Sequence, residues 1–131
     1  MCNPIGDFMK VLCFGNLFIK EDNLAVEIGK KLHVKGVNFE ICKDVDPLLE
    51  QDSEEVIILD VVKGLDAPRL FDNLDDFDVR RMFSLHDFDV GFVLRLLQEV
   101  GRIKKVRIIG IPQQGNKKLI KEQVKKLLLT L

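Results

Sequence analysis

A chain of 131 residues, 47% hydrophobic, is long enough for one domain with a sizeable core and calls for no second one. Its 20 basic and 21 acidic residues leave a formal net charge of -1, which excludes an overall field that would recruit nucleic acid or an anionic membrane. Cys2, Cys13 and Cys42 make no C-x-x-C or Cys/His spacing, so neither a disulfide framework nor a zinc site is indicated.

Met1 to Phe8 contains Asn3, Pro4, Gly6 and Asp7, which interrupt any signal-peptide apolar stretch. No apolar run is long enough to cross a bilayer, and a reducing, cytoplasmic compartment is expected. The first strand spans about Met9 to Phe14 and is apolar enough to be covered on both faces, as central parallel strands are. It turns at Gly15-Asn16 and reaches the acidic pair Glu21-Asp22 just before Leu24, Ala25, Ile28 and Leu32 recur at helical spacing. Gly36 is expected to stop that helix, with His33 as a surface residue near its C-terminal dipole. Val37 to Cys42 alternates as a half-buried strand, and Cys13 and Cys42 are expected to be buried in their strands.

Asp46-Pro47-Leu48-Leu49-Glu50 reads as a short helical turn with Pro47 near its first position. Val56 to Val62 is a second run of buried-strand type, interrupted by Asp60. A carboxylate among Ile57, Ile58, Leu59, Val61 and Val62 must lie at the strand's exposed end, bond the following turn or be otherwise paired, because burying it alone is very costly. Lys63 to Pro68 is a turn, Leu70 to Asp72 a short extra strand, and the Asp-rich, aperiodic stretch from Asp72 to Arg81 a loop. Phe83-Ser84-Leu85-His86-Asp87 then precedes a helix whose apolar stripe is Phe92, Val93, Leu96, Leu97 and Val100, ended by Gly101. Val106 to Ile111 is another buried strand, closed by Pro112 and Gly115. In the last helix Ile120, Val124, Leu127, Leu128 and Leu131 line one face against Lys117, Lys118, Lys121, Lys125 and Lys126 on the other.

Strand and helix alternate throughout. The expected fold is therefore a single-domain, three-layer α/β/α sandwich with a mainly parallel twisted sheet of about five strands. Three polar residues fall at comparable places: Asp22 after the first strand, Asp60 at the end of the middle strand, and His86 just before a helix. The carboxyl edge of such a sheet is where open α/β proteins place their ligands. Two carboxylates and an imidazole suit a borderline divalent cation with coordination positions left for substrate or water, although hydrogen-bonded structural roles explain the same residues one by one.

These motifs together resemble the endopeptidases that mature the large subunit of nickel-iron hydrogenases. Asn16 and Asp22 match the Asn and the acidic residue that follow that family's first strand. Leu59-Asp60-Val61-Val62-Lys63-Gly64-Leu65-Asp66-Ala67-Pro68 matches its Asp-ended strand and turn, while Leu85-His86 and Gly110-Ile111-Pro112-Gln113 match two later motifs. The Lys-Gly-Leu-x-x-Pro turn and an Asp at the first acidic position look most like the branch serving formate hydrogenlyase-type hydrogenases. Departures are Cys13 and Asn23-Leu24-Ala25 where the family has glycines, Arg69 after the turn's Pro, and Pro112-Gln113 in place of Gln-Pro.

The resemblance implies a phosphorylase/hydrolase-like fold and a monomeric protease. That protease removes a C-terminal extension from the large-subunit precursor once nickel has been inserted. Asp22, Asp60 and His86 would contact nickel carried by the client, with either the metal or an Asp-activated water as the source of hydrolytic power. The main rival is a non-catalytic nickel-checking or assembly factor of the same fold. A receiver-like signalling domain is a more remote alternative, because Asp22 lies eight residues beyond Phe14 and Ile111-Pro112 stand where its Lys belongs.

Overall fold

The computed structural model describes residues 9–15, 23–50, 55–72 and 88–131. The strands are β1 (Met9–Phe14), β2 (Val37–Cys42), β3 (Glu55–Val61), β4 (Arg69–Phe71) and β5 (Lys105–Ile111). The helices are α1 (Leu24–Lys31), α2 (Asp46–Leu49), α3 (Phe88–Glu99) and α4 (Lys117–Leu129). The sheet order is β2-β1-β3-β5-β4, parallel except for the β4–β5 pair. This is the expected mainly parallel sheet of five strands between two helical layers.

The pleat of the central strands divides the core in two. Leu12, Phe14, Val56, Ile58 and Ile108 face α2 and α3, where they meet Leu48, Leu94 and Leu97. Val11, Cys13, Ile57, Leu59, Ile109 and Ile111 face the other way, against Leu24, Ala25 and Ile28 of α1 and Ile120, Val124 and Leu128 of α4. A strand whose successive residues enter two different cores must be apolar throughout, which is why β1 and β3 read as unbroken runs.

The two helix ends that the sequence marks with a glycine behave differently. α1 stops at Lys31, five residues before Gly36: Leu32 is already extended with ψ 129°, and its N–H still donates to Ile28 O at 2.8 Å. Leaving the helix there lets Val34 enter the core, and a Val37 N–H to Val34 O bond of 3.0 Å closes the turn over Gly36, whose φ is +80°. The end of α3 follows the sequence. Gly101, at φ +78°, lets Arg102 N–H reach Leu97 O at 3.0 Å and its own N–H reach Gln98 O at 3.1 Å, the two bonds of a Schellman cap.

The α3 stripe itself is a correction. Leu94 and Leu97 are buried with Val93 packed against them, whereas Phe92, Leu96 and Val100 are 63%, 46% and 66% exposed. α3 carries more apolar residues than one face can cover, and its rotation is settled by Leu94 and Leu97 at the sheet.

Candidate active site

The chain leaves β1 towards β2 on one side and reaches β3 on the other, so the carboxyl ends of β1 and β3 border the point where the strand order reverses. Open α/β sheets bind ligands in the crevice outside such a point. Asp60 is the penultimate residue of β3, at that edge, and is fully buried. Among the described residues it is the one buried charged side chain.

Its position has a backbone reason. The β1–β3 ladder ends at Cys13–Leu59, while Val62 N–H still donates to Ile111 O of β5 at 2.8 Å. By alternation the Val61 N–H points the other way, past the end of the β1 ladder, and Asp60 Oδ1 accepts it at 2.8 Å. The carboxylate thereby satisfies a donor that β1 is too short to reach, the local bond that the sequence allowed for.

The neighbours of Asp60 on its own face follow from register. On β5 its partner is Gly110. On β1 the register continues from Cys13–Leu59 to Phe14, which is fully buried. The carboxylate therefore has an aromatic ring on one side and a residue without a side chain on the other. A Cβ at Gly110 would come within 2.8 Å of both Phe71 Cε2 and Val62 Cγ2, so β4 and the turn after β3 close tightly over that position.

Asp22 and His86 lie outside the described residues. Asp22 immediately precedes Asn23, the N-cap of α1, and His86 stands two residues before the start of α3. The Gly101 turn joins the end of α3 to the start of β5, so the start of α3 lies towards the carboxyl edge of the sheet. Among the described residues, no three His, Cys, Asp or Glu side chains gather as a metal site. Among the same residues, no helix is long and apolar enough to cross a membrane.

At the same edge, between the start of α1 and the turn joining β5 to α4, there is a cleft of about 450 Å³. Asn23, Leu24 and Glu27 form one wall, Gln113, Gln114 and Lys117 the other. Glu27 Oε1 accepts from Lys117 Nζ at 2.7 Å and from Lys31 Nζ at 3.2 Å. These two ammonium groups, Lys117 foremost, hold its carboxyl below the usual carboxylate range. The sequence gives no periodic signal for this cleft. It arises because α1 and α4 both start where a parallel strand ends.

The Cys13 and Cys42 thiols lie deep. Burial pushes the Cys42 thiol up to about 12, with Glu40 adding to the rise. Burial likewise raises that of Cys13, followed by the effects of Cys42 and Asp60. Both are free and buried as expected, and His33 is exposed beyond the end of α1.

Comparison with known proteins identifies the architecture. A family model described as hydrogenase maturation protease matches residues 40–129, a span that contains Asp60 and His86 and begins after Asp22. No curated protein sequence matches the chain. The hydrogenase maturating endopeptidase HybD from E. coli is similar at a TM-score of 0.72 with 16% identity, over 94% of this chain and 90% of that one. The NiFe hydrogenase maturation protease HybD from Thermococcus kodakarensis is similar at 0.67 and 18%, over 94% and 97%. The endopeptidase HycI from E. coli is similar at 0.67 and 19%, over 91% and 88%. At these identities the structural likeness speaks for the fold. The family model spans well over half of the sequence, and the chain belongs to the hydrogenase maturation protease family, a family of hydrolases.

Proposed function

We propose that this chain is the endopeptidase that removes the C-terminal extension from the nickel-loaded precursor of a nickel-iron hydrogenase large subunit. Asp22, Asp60 and His86 contact the nickel that the client brings. Membership of the maturation protease family supports the reaction class. The observation that carries the site is Asp60: a carboxylate buried at the carboxyl end of a central strand, at the strand-order reversal, beside a residue that has no side chain. Oxygen and imidazole donors suit a borderline divalent ion, and three of them leave positions for the thiolates and peptide of the client. Such an ion would polarise the scissile carbonyl or acidify a bound water.

The protein acts as a monomer in the cytoplasm, where its two buried thiols remain reduced. The Lys63-Gly64-Leu65-Asp66-Ala67-Pro68 turn supports a client of the formate hydrogenlyase type.

Incubation with a nickel-loaded precursor, followed by intact-mass measurement of the client, tests the reading. A mass loss at the client's C-terminus is expected with the wild type, and none with His86→Ala or with precursor lacking nickel. An unchanged client mass with the wild type would leave the non-catalytic assembly factor as the better description. Full cleavage by His86→Ala would remove that residue from the site.

A further inference from the structure

The near-neutral total conceals a strong polarity. The α1 and α4 segments, residues 23–36 and 113–131, share one side of the sheet and hold eight lysines against two acidic residues, Glu27 and Glu122. That layer is net +6 in a chain of net -1, so everything else together is net -7. At physiological salt such a field decays over about 8 Å, so it acts on a segment lying against the layer and does not draw in a distant polyanion.

The cleft at the carboxyl edge lies against the start of this layer. Its polar lining is of two kinds. Asn23, Gln113 and Gln114 are carboxamides, which both donate and accept as a peptide main chain requires, and Asn23 makes no side-chain cap bond to its own helix. Lys117 closes one side as part of a cluster in which, among the described residues, one carboxylate, Glu27, faces two ammonium groups and leaves a charge of +1. Lys118 and Lys121 continue the same sign along α4. An exposed ion pair of this kind is weak, so Lys117 can exchange Glu27 for an incoming carboxylate at little cost. A volume of about 450 Å³ lies within the range of sites that hold small ligands or short peptide segments.

We propose that this cleft, with the lysine face of α4 beside it, seats an extended acidic segment of the client polypeptide. The carboxamides bond its main chain, and Lys117 and Lys121 take its carboxylates. The client's identity as a hydrogenase precursor rests on the reading above, while the acidic peptide chemistry rests on the cleft and the charge layer alone.

A blocked ten-residue peptide of alternating Glu and Ser, titrated into the isotopically labelled full chain, is the probe. Saturable shifts of the backbone amides of Asn23, Glu27, Gln114, Lys117 and Lys121 are expected. The Gln-for-Glu peptide is expected to bind at least five-fold more weakly, and so is the Glu peptide to a Lys117→Gln/Lys121→Gln variant whose melting temperature matches the wild type. Lys105→Gln, at the amino end of β5 on the opposite edge of the sheet, is expected to change nothing. Shifts confined to other residues, equal binding by the double variant, or tighter occupation of the same amides by duplex DNA or phosphatidylserine vesicles would overturn the proposal.

Asp60→Asn separates the two readings, because it is expected to bind the peptide as the wild type does while failing to cut precursor. Peptide binding without precursor cleavage by the wild type would strike the protease reading alone. Full precursor cleavage by the double lysine variant would strike this one alone.

Discussion

Gly110 stands directly beside Asp60 in the parallel β3–β5 ladder, on the same face of the sheet. The backbone of Gly110 is ordinary, since it is not among the positive-φ glycines, so what the position demands is space. A methyl there would meet Phe71 Cε2 and Val62 Cγ2, both at 2.8 Å, and Leu65 Cδ1 at 3.1 Å. Phe71 and Val62 are buried and cannot retreat, so the strand-forming advantage of Ala over Gly, about 0.5–1 kcal/mol, is outweighed. Gly110→Ala is expected to lose about 1–3 kcal/mol in urea denaturation. It should also impair precursor cleavage through displacement of β4 and the turn after β3. An unchanged urea midpoint would show that the contact relaxes freely.

The Asp60 carboxylate plays a backbone role that can be separated from its proposed chemistry. Oδ1 takes the Val61 N–H at 2.8 Å, and Asn retains an oxygen for that bond. Asp60→Asn is therefore expected to fold with nearly wild-type stability and to cut no precursor. Asp60→Ala leaves a buried donor without its acceptor and is expected to cost about 1–3 kcal/mol. Urea curves for the two variants beside a cleavage assay decide the matter. Cleavage by Asp60→Asn would restrict this carboxylate to architecture.

Much of this was legible in the residues. β1 and β3 announce themselves because both faces of each are covered, and Gly101 because a left-handed cap was needed there. Asp60 stood out as the one charge in an apolar run. What the sequence could not show is how α3 is rotated: Phe92, Leu96 and Val100 repeat at helical spacing as well as Leu94 and Leu97 do, and only contact with the sheet chooses between them. The cleft was hidden for another reason. Asn23 and Gln114 are ordinary polar residues some ninety positions apart, brought together only by the rule that helices after parallel strands start at one edge.

Gly29 explains a constraint at the back of the sheet. A Cβ on this helical glycine would lie 2.6 Å from Cys13 Sγ and 3.2 Å from Cys13 Cβ and Ile41 Cδ1. Alanine favours a helix interior by about 1 kcal/mol over glycine, but a contact that short moves α1 off β1 and reverses the sign. Gly29→Ala is expected to destabilise the chain by about 1–2 kcal/mol. Adding Cys13→Ala should recover much of the loss, giving a favourable coupling in a double-mutant cycle. Additive effects would show that the sulfur is not the obstacle.

Glu27 links pH to the cleft wall, and the direction follows from its carboxyl being held low by Lys117 and then Lys31. A carboxyl whose folded value lies below its unfolded value, about 4.3 for Glu, contributes stability that is fully present above that pH and disappears as pH falls through the folded value. The pair with Lys31 is a helical i,i+4 contact with Glu on the N-terminal side, the favourable order, and the pair with Lys117 ties α1 to the start of α4. Both lysines are exposed, so the stabilisation is small, about 0.2–1 kcal/mol, and weakens as salt rises. Glu27→Gln is thus expected to be less stable than the wild type at pH 7 in low salt. The two curves should converge below about pH 4. They should also converge at pH 7 in about 1 M salt, where the Debye length is about 3 Å. Lys31→Gln alone should lose less than Lys117→Gln, because the 2.7 Å contact survives in the first and not in the second. A gap between wild type and Glu27→Gln that persists undiminished at pH 3 would mean that Glu27 supports this wall through packing of its methylenes and not through its charge.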